Sequence, residues 1–96
     1  MAVFFVSRHP GAVEWAKNNI EEIDVLSDHL DPKEVNEGDT VIGNLPMAMA
    51  AEICSKGAKF FAISIQVKRD DRGKELSSQK LEEYDCKIEE FKVIRL

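Results

Sequence analysis

Two cysteines, two histidines, three prolines and one tryptophan in 96 residues leave little material for several common kinds of protein. Cys54 and Cys86 stand far apart and form no CxxC pair, which argues against a zinc site and a disulfide scaffold and for a reduced, cytoplasmic setting. No apolar run approaches the ~20 residues that a membrane helix needs. The start also lacks the basic stretch and apolar core of a signal peptide. A surplus of base is missing too. With 13 Lys and Arg against 18 Asp and Glu, the net charge of −5 argues against sequence-independent binding of duplex nucleic acid, which needs a basic surface. Repeats, low-complexity segments and linkers are absent, so residues 1–96 read as one small domain with a single modest core.

What is there begins at Val3-Phe4-Phe5-Val6, four apolar residues that read as a strand buried on both faces. Ser7-Arg8-His9-Pro10-Gly11 follows at once, ending the strand and opening a turn. Ligands of open α/β sheets sit outside the carboxyl ends of the strands, so this reactive tripeptide marks a candidate site. Charge is also unevenly spread. Residues 21–39 hold eight acids against the lone base Lys33, and residues 40–74 hold six bases against three acids. A small anion could therefore find a local positive spot on an acidic protein.

The spacing of Val13, Ala16 and Ile20 predicts a helix from Gly11 to about Asn19, with Trp15 beside that face and Glu14 and Lys17 outside. Val25-Leu26 predicts a short strand, and the acidic, turn-rich run from Asp31-Pro32 to Gly38-Asp39 a surface connection. Thr40-Val41-Ile42 predicts a third strand closed by Gly43. Asn44 is then an N-cap candidate, with Pro46 in the first turn of a largely buried helix over Met47–Ser55 that Gly57 ends in the left-handed conformation. Phe60–Ile65 predicts a central strand, Ser77 the cap of a third helix, and Phe91, Val93 and Ile94 a final strand. Leu76 and Leu81 have the spacing of a hydrophobic staple around that cap. The order β-α-β-β-α-β-α-β specifies a small three-layer α/β domain with a mostly parallel sheet.

Two strand ends run directly into helices, Ser7–Gly11 and Gly43–Pro46, and both offer free N–H groups and a positive dipole end to phosphate. Arg8 supplies a bidentate cation, Ser7 a hydroxyl and His9 a proton-transfer group. The alternative is that Ser7 and His9 satisfy the strand end while Arg8 is a solvated charge. Gly43 would admit a ligand close to the backbone, although a cap and a turn suffice to explain Asn44 and Pro46. Asp28-His29 is the other acid–imidazole pair. Without ligand spacing it does not specify a metal, Asp28 reads as a surface turn, and His29 could still line a pocket. The loop over Lys68–Lys74 is either solvated or a flap over a polyanion. An Arg-His after a first strand also resembles histidine phosphatases, but Pro10 replaces their Gly and no late second His exists.

Taken in order, Val6-Ser7-Arg8-His9-Pro10-Gly11-Ala12, His29-Leu30-Asp31-Pro32, Gly38-Asp39-Thr40-Val41-Ile42-Gly43-Asn44-Leu45-Pro46, Arg72-Gly73-Lys74-Glu75-Leu76-Ser77 and Val93-Ile94-Arg95-Leu96 resemble a family of small type III CRISPR-associated accessory proteins. The resemblance spans essentially the whole chain. It implies a ring nuclease that opens cyclic oligoadenylate, the four-membered ring first, and so switches off CRISPR signalling. The implied fold is similar to the nucleotide-sensing Rossmann-like (CARF-like) domains of the same system. The implied assembly is a homodimer with the ring on its two-fold axis. The implied chemistry uses no metal or cofactor: a ribose 2′-OH attacks its own 3′-phosphate. Under that reading Arg8 carries phosphate charge, His9 does acid/base work and Ser7 orients the reacting groups. Gly11, His29, Gly43, Asn44, Leu45 and Pro46 would contribute to the ligand cradle, and Arg72 and Lys74 would close over the ring. The same residues would also suit a non-catalytic binder of the same messenger, and a purely protein-binding accessory factor is a third class.

Overall fold

The computed structural model describes residues 1–65, 77–84 and 86–96 of the chain. Strand β1 (Val3–Val6) leads into helix α1 (Pro10–Asn19), and β2 (Val25–Ser27) is followed by a single 3-10 turn at Pro32–Glu34. Strand β3 (Thr40–Gly43) leads into α2 (Met47–Ser55), then come β4 (Lys59–Ser64), α3 (Ser78–Glu83) and β5 (Lys87–Phe91). The five strands form one sheet in the order β2-β1-β3-β4-β5. The first four are parallel and β5 runs antiparallel to β4. This is a Rossmann-like arrangement, as the sequence order of elements specifies.

Alternation along each strand explains the layers. Phe4, Val6, Val41 and Phe60 pack on one face with Ala50 and Ile53 of α2, together with Leu30 and Val35 from the connection before β3. Phe5 and Ile42 pack on the opposite face with Trp15 and Ala16 of α1 and Leu81 of α3. Both faces of the central strands are thus covered, which is why β1 and β3 read as unbroken apolar runs. Ser77 caps α3 by accepting the Lys80 N–H at 3.2 Å. Gly57, at φ 89°, ends α2. Its N–H donates to the Cys54 carbonyl, and the Ala58 N–H donates to the Ile53 carbonyl. That pair of bonds closes the last turn of the helix.

Asp39 fastens the amino end of the sheet. Its carboxylate accepts the N–H of Ala2 and of Asn36, both at 2.9 Å. These bonds, the Ala2 one first, hold its pKa below the ordinary carboxylate value.

Four expectations need correction. The last strand is Lys87–Phe91 rather than Phe91–Ile94. It is an edge strand, so Glu89 and Glu90 can occupy it facing solvent while Ile88 alone packs inward, opposite Ile63; charge on an edge also discourages pairing with other chains. Asn44 does not cap α2: the residue at the cap position is Pro46, and no side chain bonds there. Helix α2 is half buried, not largely buried, because it covers the sheet with one side only and Met47 is left 77% exposed. Helix α1 begins at Pro10, where a missing N–H costs no hydrogen bond. Leu76, the other half of the expected staple, lies outside the described residues. Among the described residues no helix is long and apolar enough to cross a membrane.

Candidate functional site

Parallel strands set side by side deliver all their following loops to one edge of the sheet. In this chain helix α1 leaves β1 toward one face and α2 leaves β3 toward the other. β1 and β3 are neighbours, so the chain parts in opposite directions between them. A crevice at such a switch point is where α/β sheets bind ligands. A cleft of about 550 Å³ occupies this position.

Its polar rim comes from three strand ends. Ser7, Arg8 and His9 follow β1, Asp28 and His29 follow β2, and Asn44 follows β3. Its apolar lining includes Leu30, Leu45, Met49, Ile63, Ile65 and Leu81. Such a mixture, mostly apolar with a few convergent polar groups, is the usual make-up of a small-molecule site.

Local bonding fixes the rim. The Ser7 N–H donates to the Ser27 carbonyl at 3.0 Å, continuing the β1–β2 ladder one residue past the strand. The Ser7 hydroxyl accepts the His9 N–H at 3.1 Å, which tightens the turn that presents Arg8. Asn44 accepts the Ile63 N–H through Oδ1 at 3.2 Å and so ties the end of β3 to β4 across the cleft floor. Helices α1 and α2 both begin at the rim, with His9 and Pro46 at their cap positions and no side-chain cap on either. Their first-turn N–H groups therefore lack intrahelical partners and carry the positive ends of the helix dipoles.

Asp28 and His29 form a hydrogen-bonded pair on the rim, with Oδ1 2.9 Å from Nδ1. The Ser27 hydroxyl donates to the His29 carbonyl at 2.6 Å and accepts the His29 N–H at 3.3 Å, so the turn carrying the pair is itself tied down. The hydrogen bond with His29 is the leading cause that holds the Asp28 carboxyl below the usual carboxylate range, and Arg8 adds a smaller pull in the same direction.

Of the residues singled out from the sequence, Ser7, Arg8, His9, His29, Asn44, Leu45 and Pro46 all line this one cleft. Gly11 is buried within α1 instead. Gly43 is fixed by packing, since a Cβ there would sit 2.3 Å from the Val6 carbonyl oxygen. Arg72 and Lys74 lie outside the described residues. Sequence reading missed Asp28 as a rim residue and Met49, Ile63, Ile65 and Leu81 as lining. Their apolar spacing predicts burial, and nothing local says which buried residues stop at an open edge.

A family model described as "Putative CRISPR-associated protein (Cas_VVA1548)" matches residues 4–94. No curated protein and no solved structure matches the chain.

Proposed function

The chain belongs to that CRISPR-associated family, and from this premise we propose that it is a ring nuclease that opens cyclic oligoadenylate, cyclic tetra-adenylate first, and so ends type III CRISPR signalling. The observation that carries the reading is the cleft between β1 and β3, which joins an apolar lining to a rim of one guanidinium and two imidazoles. The apolar lining suits an adenine ring. Arg8 and the open starts of α1 and α2 suit the phosphates on either side of it.

The chemistry needs only an intramolecular displacement. A ribose 2′-OH gives up its proton and attacks the adjacent 3′-phosphorus. The bond from phosphorus to the 5′-oxygen breaks, and that oxygen takes a proton. The product is a linear oligoadenylate ending in a 2′,3′-cyclic phosphate and a 5′-OH, with no water consumed. Holding the 2′-oxygen in line accounts for much of the acceleration, since good intramolecular alignment supplies about 7–11 kcal/mol. Arg8 stabilises charge on the non-bridging oxygens. His9 does acid/base work, and Ser7 keeps the turn closed around the phosphate. An open cleft of about 550 Å³ holds only part of a cyclic tetranucleotide. A second copy related by a two-fold axis would supply an equivalent half-site for a ring of matching symmetry.

The test is product analysis by mass after incubation with cyclic tri-, tetra- and hexa-adenylate, with and without EDTA. The expected result is EDTA-insensitive conversion of one ring to linear products bearing 2′,3′-cyclic phosphate, with Arg8→Ala and His9→Ala each slower by about 10²–10⁴-fold. Wild-type rates in both variants would overturn the residue roles. Tight retention of an intact ring over many hours would make the protein a binder. Absence of thermal stabilisation by every ring would leave only a protein-binding role.

A further inference from the structure

In-line displacement by a 2′-OH needs a group to take one proton and another to give one, and this chain has only two histidines. Both line the same cleft, His9 beyond β1 and His29 beyond the adjacent strand β2. We propose that His29, positioned by Asp28, is the general base that removes the 2′-OH proton, while His9 is the acid that protonates the departing 5′-oxygen. The assignment rests on the ring-nuclease reading of the cleft.

Geometry separates the two imidazoles. Asp28 Oδ1 lies 2.9 Å from His29 Nδ1, and an ionised carboxylate can only accept there. The hydrogen atom of a neutral His29 is therefore held on Nδ1, and its lone pair is left on Nε2. That is the tautomer a base requires, and the same carboxylate steadies the imidazolium that forms as the proton arrives. Ser27 grips the His29 backbone through both its N–H and its carbonyl, so the ring is carried by a fixed turn. His9 instead follows Arg8 directly, next to the guanidinium that would face the phosphate, where the leaving oxygen departs. The titratable and charged groups lining the cleft among the described residues are Arg8, His9, Asp28 and His29. Asp28 touches no reacting atom in this scheme and acts through His29.

Both side chains of the pair are about three-quarters exposed, so substituting them removes no core packing. With cyclic tetra-adenylate, His29→Ala is expected to lose about 10²–10⁴-fold in rate. Asp28→Asn should lose about 10–10²-fold, less than the ~10⁴-fold of a buried dyad because water screens an exposed carboxylate. Asp28→Glu should recover part of that loss, and free imidazole should partly restore His29→Ala. The discriminating substrate carries sulfur in place of the bridging 5′-oxygen, because a thiolate leaves without being protonated. His9→Ala should regain most of its rate on it, and His29→Ala should not. Recovery of His29→Ala instead would reverse the roles, and an unaffected Asp28→Asn would remove the positioning. A wild-type protein that cleaves no ring would defeat the underlying reading, whereas a wild-type cleaver with an unaffected His29→Ala would defeat this assignment alone.

Discussion

At residue 43 a side chain has nowhere to go. Gly43 faces Val6 in the parallel register of β1 and β3, and a Cβ would meet the Val6 carbonyl oxygen at 2.3 Å and its carbon at 3.2 Å. Its φ of 149° is also a conformation that other residues rarely adopt. The glycine therefore lets two central strands close on each other directly beneath the cleft. Gly43→Ala should cost about 2–4 kcal/mol through contact and backbone strain together. Urea unfolding would read this as a lower midpoint with an unchanged slope, and a wild-type midpoint would refute it. Arg8 is exposed and its removal should leave that midpoint in place. Under the proposed ring-nuclease reading, a loss of activity would thus have separate causes at the two positions, although they lie at the ends of adjacent strands.

Elements were legible from the sequence where burial on both sides removed ambiguity. Val3–Val6 and Phe60–Ile65 read as buried inner strands and Thr40–Ile42 as a third strand. Ser77 and Gly57 punctuated α3 and α2 correctly, whereas Pro10, read as part of the turn, opens α1. Strand β5 was hidden because an edge strand need bury only one residue in two, and Lys87-Ile88-Glu89-Glu90-Phe91 looks like solvated surface until it pairs with β4. Asn44 had the right chemistry for a cap, but the Ile63 N–H lies within its reach and claims the oxygen. Seven cleft residues, Ser7, Arg8, His9, His29, Asn44, Leu45 and Pro46, were legible because strand ends announce themselves; Met49, Ile63, Ile65 and Leu81 were not, because that lining depends on where α3 and β4 stop. Asp39 has a similar long-range role, joining Ala2 at the start of β1 to Asn36 ahead of β3. With the folded pKa depressed below the ordinary 3.8, this tie contributes its full stability above that value. The contribution is lost as pH falls through the lower folded value. The gap in denaturation midpoint between wild type and Asp39→Asn should be constant from pH 7 to pH 5 and shrink below about pH 4. A gap that persists unchanged into strong acid would mean that the carboxylate contributes nothing through its charge.

Over the whole molecule, two separate apolar layers share one sheet only a few residues wide. Phe5 and Ile53 are both fully buried, the first against α1 and α3, the second between α2 and the opposite face. A domain this small has stability near the low end of about 5–15 kcal/mol. Neither layer could persist alone, because each strand that supports one also supports the other. Phe5→Ala should cost about 3–5 kcal/mol and Ile53→Ala about 2–5 kcal/mol, and the pair together should leave no folded protein at room temperature. The single tryptophan makes the cooperativity measurable, since Trp15 lies only in the α1 layer. Ile53→Ala is on the far face from it, yet it should lower the midpoint followed by Trp15 fluorescence as much as the midpoint followed by far-ultraviolet circular dichroism. If Trp15 kept its wild-type midpoint while the helical signal shifted, the α2 layer would be unfolding by itself. The cleft, whose rim and lining draw on both layers, would then open before the rest of the sheet.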